Sequence, residues 1–484
     1  MQGALRGSSS KQSTTWPPPP PGNETPEQRQ ARLDEEARAK KRSDEIDKEI
    51  HAQKELRKKK GGLGAKILLL GQAESGKSTV LKNFQLQFAP KAFESEADIW
   101  RPVIHLNLVR SVNFIINFLN SRMAGLREAM QDAPGSKQGG FQLSSDSRKL
   151  LIRLAPLRQI EETLSKVVSG ASPTPNESSQ ASQQRQYNST RAPEEVSIPS
   201  GYGWKKAVLG RRSQDSPTAS NTDAAELAQA RRVLAACTDD IVKLWNDRTV
   251  RRALKSAEVS LEDQPGFFLA DASRVTAEDY RPLSDDVLKA RVTTMGPEEH
   301  VIRDERDPDA KEWTIYDVGG SRSQRAAWAQ FFDDVNIIIF LAPMSAFNQV
   351  LAEDETVNRL TDSLRLWQMI CSNKILQEVE FVLFLNKLDI LQTKLKSGIQ
   401  FSEFVTSYTE KSNETKPVAK YLLDVFVSLH QKHSPKKRKL HPHLTCAVDT
   451  RATASVIARI RDLILVNFLS TDKRPVTSMP SDLP

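Results

Sequence analysis

The chain has 484 residues, with 69 Lys and Arg against 61 Asp and Glu, a formal charge of +8 and 38% hydrophobic residues. That length accommodates two or three domains, while the apolar fraction builds cores in only part of it. Cys237, Cys371 and Cys446 are too few and too scattered for a disulfide framework or a cysteine metal site, the modest charge gives no reason to expect nucleic acid, and no apolar run approaches a bilayer span.

Residues 1–25, with Gly7-Ser8-Ser9-Ser10 and the run Pro17 to Pro21, have the composition of an unfolded tail and lack the apolar core of a secretory signal. Residues 26–60 read as a solvated helix with a thin apolar stripe of Leu33, Ala37, Ile46, Ile50 and Leu56. The basic run at 57–60 suits a helix C-terminus, with an anionic membrane surface as the alternative. The strand-like run Ala65-Lys66-Ile67-Leu68-Leu69-Leu70 then leads into Gly71-Gln72-Ala73-Glu74-Ser75-Gly76-Lys77-Ser78-Thr79. This is a phosphate-binding loop. Successive backbone NH groups and a helix N-terminus make an anion cradle, the glycines allow close approach, Lys77 supplies a point charge and Ser78 a hydroxyl for Mg²⁺.

Helical periodicity follows at 79–88, 103–118, 147–168 with a break at Pro156, and 224–255. Residues 170–222, rich in Ser, Pro, Gln and Asn, read as a disordered insert within this helical module. Beyond Asp286 the pattern alternates strand and helix, with strands expected at 313–316, 337–340, 381–385 and 443–447. The fold class is therefore α/β, a mainly parallel sheet carrying an inserted all-α module.

Three further motifs end strands. Asp317-Val318-Gly319-Gly320 offers a carboxylate to metal-bound water and a glycine NH to a third phosphate. Asn386-Lys387-Leu388-Asp389 offers a carboxylate that accepts two hydrogen bonds from the guanine edge, a donor pair that adenine lacks. Cys446-Ala447, within Thr445-Cys446-Ala447, would give a backbone NH to the guanine oxygen. The nucleotide expected is GTP, and an ATP-dependent kinase or ATPase is disfavoured.

These motifs, with Asp286-Val287-Leu288-Lys289-Ala290-Arg291-Val292-Thr293-Thr294, resemble the alpha subunits of heterotrimeric G proteins over roughly residues 62–470. The resemblance implies a P-loop GTPase domain at 61–88 and 286–472, a helical domain at 89–285 and a short C-terminal tail at 473–484. It implies that GTP/GDP and Mg²⁺ bind and that GTP is hydrolysed. Arg291 and Lys77 would stabilise the transferring phosphoryl group. Ser78, Thr294 and, through water, Asp317 would hold the metal. Leu288, Lys289 and Ala290 would line the nucleotide in the first switch, Gly319 and Gly320 in the second, and Asp263 and Gln264 from the helical domain. The implied partners are a beta-gamma dimer, a G-protein-coupled receptor and an unnamed effector. The implied location is cytoplasmic, at the inner face of the plasma membrane.

Five departures from the family pattern bear on these expectations. Ser321 stands where a glutamine orients the attacking water, and Ala73 stands where the loop has glycine; both point to slow hydrolysis. A GTP-binding scaffold with little turnover is the alternative. Ala326 and Ala327 replace a basic pair before Trp328, which weakens the expectation of beta-gamma docking. Gln2 replaces the glycine of a myristoylation motif, and the end of the chain departs from the helical apolar tail of the family. The basic run Lys436-Lys437-Arg438-Lys439 reads as a solvated loop.

Overall fold

The computed structural model describes residues 64–132, 143–169, 197–199, 219–257, 259–307, 312–409, 411–435 and 438–471, with a few helical positions before residue 64. The expected tails, most of the 26–60 helix, most of the 170–222 insert, Lys436 and Lys437 lie outside the described residues. The chain divides into Met1–Leu63 and Gly64–Pro484, and every element below belongs to the second unit.

Eight strands are present among the described residues: β1 (Lys66–Gly71), β2 (Ser197–Pro199), β3 (Thr293–Met295), β4 (Glu298–Ile302), β5 (Trp313–Asp317), β6 (Ile337–Pro343), β7 (Glu380–Asn386) and β8 (Leu440–Leu444). Six of them form one sheet in the order β4-β5-β1-β6-β7-β8. Only the β4–β5 pair is antiparallel. Every residue of β6 is buried, as a strand covered on both faces requires. Each fully buried Ile or Leu there contributes about 1.5–3 kcal/mol of transfer free energy. Because β1, β5, β7 and β8 run parallel, their C-terminal ends deliver all four motif loops to one edge of the sheet.

The helices that matter for the site are α1 (Lys77–Phe88), α2 (Arg101–Asp132), α3 (Ser145–Arg153), α4 (Leu157–Ser169), α5 (Ala219–Ala236), α6 (Thr238–Asn246), α7 (Arg248–Ser256), α8 (Ser284–Lys289), α9 (Arg359–Ser372), α10 (Leu388–Lys396), α11 (Thr415–His433) and α12 (Thr450–Thr471). Helices α2 to α7 build their own apolar core around Val109, Leu119, Leu157, Leu234 and Trp245. Two further cores cover the two faces of the sheet. Within Ala97–Ala124 the chain is long and apolar enough to cross a membrane by composition, yet 78% of that window is buried inside the protein. It is the core helix of the helical module. The break at Pro156 falls between α3 and α4, and Asp247 caps α7 by accepting from the Thr249 and Val250 NH groups.

The structure differs from the sequence reading in four places. The last strand is Leu440–Leu444, not 443–447, because its pairing with β7 runs from Phe381↔Leu440 to Leu385↔Leu444. Pro442 hid it, and an edge strand tolerates that proline. Strand β4 was not anticipated, since Glu298-Glu299-His300 carries the charge of an exposed edge. Within the insert, Ser197–Pro199 is not unstructured but pairs in parallel with Thr293–Met295. Finally, Arg438 is not a solvated loop residue: it donates to the Leu376 and Cys371 carbonyl oxygens and lies 4.1 Å from the Phe381 ring centre.

Candidate functional site

The loop after β1 is shaped by three residues at positive φ: Gly71 at 144°, Gly76 at 102° and Glu74 at 59°. Gly71 has no room for a side chain, because a methyl there would sit 2.4 Å from the Leu341 carbonyl oxygen. Lys77 folds back over the loop and donates to the Gly71 and Gln72 carbonyl oxygens at 3.0 and 2.8 Å. Burial pushes its pKa down to about 8, against the opposing charge of Asp317. Ser75 is buried, and the Thr79 carbonyl accepts from Asn83.

Beside it, Ser78 Oγ donates to Asp317 Oδ2 at 2.6 Å and stands 3.0 Å from Thr294 Oγ1. Thr294 Oγ1 also reaches Asp317 Oδ2 at 3.4 Å. Three hard oxygen groups from the phosphate loop, the segment after α8 and the end of β5 thus converge. Burial raises the Asp317 pKa, opposed by Lys77, and Asp317 Oδ1 is buried with no hydrogen-bond partner among the described residues. Such a donor set fits a small divalent cation such as Mg²⁺.

At the opposite end, Asn386 is buried and ties three segments together. Its Nδ2 donates to the Ser75 carbonyl at 2.8 Å, and its Oδ1 accepts from the Ala447 NH at 3.0 Å and from Thr445 Oγ1 at 3.3 Å. The Ala447 NH, expected to reach a guanine oxygen, is therefore already engaged, and reaching the base means sharing that hydrogen. Lys387 sits at φ 64°, and burial pushes its pKa down to about 8. Asp389 is exposed. Its charge and a hydrogen bond add to burial in raising the Cys446 thiol to about 11.

The helical module reaches the same edge. Asp263 interacts electrostatically with Lys394, Lys387 and Asp389, and its pKa is raised chiefly by burial. Gln264 is half-buried, with its NH bonded to the Leu261 carbonyl. Leu288 and Ala290 are buried and Lys289 is exposed, its carbonyl accepting from the Gly266 NH at 3.0 Å. The next residue, Arg291, is gripped at its backbone by Asn107, which accepts from the Arg291 NH at 2.8 Å and donates to its carbonyl at 3.2 Å. Its guanidinium reaches Glu74 Oε1 at 2.5 Å.

In the segment after β5, the Trp328 indole donates to the Gly319 carbonyl at 2.9 Å and is buried, while Ala326 is exposed. Gly320 lies against the phosphate loop, where a methyl would fall 2.4 Å from the Ala73 nitrogen. Ser321 Oγ donates to Gln324 Oε1 at 2.8 Å.

Comparison with known proteins decides the family. The G-protein alpha subunit family matches residues 40–464. The chain belongs to the G-protein alpha subunits. It is 31% identical to the guanine nucleotide-binding protein alpha-4 subunit of Mycosarcoma maydis, across 92% of each chain. It is 27% identical to the alpha-2 subunit of Neurospora crassa, across 89% of this chain and 95% of the relative. Against the G(o) subunit alpha of Locusta migratoria it is 35% identical over 231 residues, 47% of this chain and 62% of that one. As a member of this family, the chain is a guanine nucleotide-binding signalling switch on a P-loop GTPase fold.

In this alpha subunit several residues around the site escaped the sequence reading. Arg359 donates to Glu74 Oε2 at 3.1 Å and to the Ala73 carbonyl at 2.7 Å. Asp362 accepts from Arg325 at 3.0 and 2.7 Å and from Gln72. Burial pushes the Asp362 carboxyl up, but those hydrogen bonds outweigh it and hold it below the usual carboxylate range. Lys82 donates to the Val287 and Ala290 carbonyls and lies over the Trp100 ring, fixing the entry to Arg291. Asn358, which caps α9, marks Arg359 and Asp362 as first-turn residues and was the one local signal available.

Proposed function

We propose that this alpha subunit binds GTP with Mg²⁺ and hydrolyses it slowly, so that the active state outlasts that of members with glutamine at position 321. The observation that carries the reading is Ser321. Its hydroxyl is committed to Gln324 at 2.8 Å, and it is too short to hold a water and a phosphoryl oxygen together. Ala73 adds a methyl group in the loop that faces the reacting phosphate.

In this reading Ser78 and Thr294 hold the metal, with Asp317 acting through water. The metal would neutralise charge on the β- and γ-phosphates. Lys77 and Arg291 stabilise the transferring group, and Arg291 must leave Glu74 to do so. Gly71 to Thr79 cradle the phosphates, while Gly319 and Gly320 approach the third. Asn386, Lys387, Asp389, Cys446 and Ala447 surround the base, and Asp263, Gln264 and Leu288 to Ala290 close the helical side. GTP-dependent ordering of the segments at 288–294 and after Gly320 is the switch. The partners are a beta-gamma dimer, a receptor and an effector, at the inner face of the plasma membrane.

Single-turnover hydrolysis beside nucleotide affinity tests this. Ser321→Gln should hydrolyse GTP faster than the natural chain at unchanged affinity. Hydrolysis by the natural chain as fast as by members with glutamine at this position refutes the reading. Binding without turnover in both proteins leaves a GTP-binding scaffold.

A further inference from the structure

The sequence reading passed over Gln324, yet its carboxamide occupies the centre of the switch region. It packs on Gly319 so closely that a methyl there would meet Oε1 at 2.0 Å and Nε2 at 2.9 Å. Nε2 donates to the Thr294 carbonyl at 3.3 Å, and Oε1 accepts from Ser321 Oγ at 2.8 Å. The Gln324 NH is bonded to the Ser321 carbonyl at 3.0 Å, closing a turn that folds residue 324 back beside residue 321. One amide therefore touches the residue that replaced the glutamine, the glycine preceding Gly320, and a residue of the metal-binding set.

We propose that Gln324 is the water-positioning residue of this alpha subunit, with Ser321 as the hydroxyl that orients it. The inference rests on the GTP-hydrolysis reading above. Orienting a nucleophilic water beside a phosphoryl group takes one acceptor and one donor held on a short rigid spacing, and a carboxamide supplies both. Ser321 alone supplies a single hydroxyl. By donating to Oε1, that hydroxyl selects which end of the Gln324 amide faces Thr294, so the pair does what one glutamine does elsewhere. Bridging from three residues along the chain makes the placement looser, in keeping with slow turnover.

The test compares the full chain with Gln324→Leu, which keeps bulk and removes both hydrogen-bonding ends, and with Ser321→Gln combined with Gln324→Leu. Single-turnover hydrolysis is read beside GTP affinity and beside the affinity of the GDP complex for fluoroaluminate, a mimic of the transferring phosphoryl group. Gln324→Leu should slow hydrolysis at least about tenfold and weaken fluoroaluminate binding in parallel, with GTP affinity within about threefold. The double variant should regain both. Equal hydrolysis and fluoroaluminate affinity in Gln324→Leu and the natural chain overturn the proposal. So does measurable GTP binding with no hydrolysis by the natural chain, which leaves the GTP-binding reading standing. A Gln324→Leu defect that includes lost GTP affinity, and that the double variant does not repair, marks Gln324 as a loop brace and also overturns it. Failure of the natural chain to bind GTP removes the underlying reading itself.

Discussion

Glu74 joins Arg291 to Arg359: its Oε1 accepts from Arg291 at 2.5 Å and its Oε2 from Arg359 at 3.1 Å. One carboxylate at the top of the phosphate loop thereby links the segment leaving the helical module to the first turn of α9. All three side chains are largely screened from solvent, so their mutual attraction is less damped by water and salt than that of a surface ion pair. Arg291 is thus held against the phosphate loop, with its backbone fixed by Asn107.

The first prediction concerns that arginine. Arg291→Ala should lower single-turnover GTP hydrolysis by about 10³-fold or more, the range expected of an arginine that stabilises a transferring phosphoryl group. GDP affinity should change far less, since in the proposed reading Lys77 and the loop NH groups would carry ground-state binding. Rapid-quench hydrolysis with GDP titrations checks it, and equal losses in both would place Arg291 in structure alone.

Base choice gives the second prediction. In the proposed reading Asp389 would accept from two guanine donors, and each such charged hydrogen bond is worth about 1.5–3 kcal/mol. Asp389→Asn should weaken GTP by at least about 10²-fold and improve XTP, whose C2 oxygen can accept from the new amide. Competition of GTP, XTP and ATP for the same site measures it. Unchanged preference for GTP would remove Asp389 from the base pocket.

The parts of this site legible in the sequence are those whose chemistry is local. The phosphate loop, Asp317, Asn386 and Asp389 each stand at the end of an apolar strand, and parallel pairing gathers strand ends at one edge. What could not be read is pairwise and distant. Nothing near Glu74 announces Arg359, nothing near Gln72 announces Asp362, and nothing near Arg291 announces Asn107, since each bond closes across nearly two hundred residues or more. Strand β8 was misplaced because His441-Pro442-His443 carries no strand signal; its register comes from β7. Gln324 was hidden for the same reason, because nothing in its sequence neighbourhood announces the turn that folds its amide back against Ser321.

Proton linkage provides the third prediction. Burial lowers Lys77 from 10.5 to about 8, and Lys387 and Lys394 move the same way to about 8. The folded state then binds fewer protons than the unfolded state between about pH 8 and 10.5. The penalty of burying these charges is fully present below pH 8, and stability should rise as pH climbs through that window. In the proposed reading phosphate oxygens beside Lys77 would restore its charge, so GDP binding at pH 9 should take up a proton. Affinity should then weaken by up to about tenfold per pH unit above 8. Calorimetry in buffers of different ionisation enthalpy reads the uptake, and none at pH 9 would mean that Lys77 is already charged.

The last prediction follows from the contact between Gly320 and the phosphate loop. A methyl on Gly320 would fall 2.3 Å from the Gln72 carbonyl carbon, 2.4 Å from the Ala73 nitrogen and 2.6 Å from the Gln72 oxygen, all backbone atoms that cannot swing aside. The loop itself is held from behind by Gln72, which donates to the Arg359 carbonyl at 2.9 Å, so yielding would disturb α9 as well. Gly320→Ala should therefore push the segment after β5 away from the loop while leaving Lys77 and the cradle intact. GDP should bind within a few-fold of the natural chain. A non-hydrolysable GTP analogue should bind more weakly than to the natural chain and should change tryptophan fluorescence less, because Trp328 is tied to the Gly319 carbonyl and would move with the segment. A normal fluorescence response in Gly320→Ala would show that the segment switches without seating on the phosphate loop.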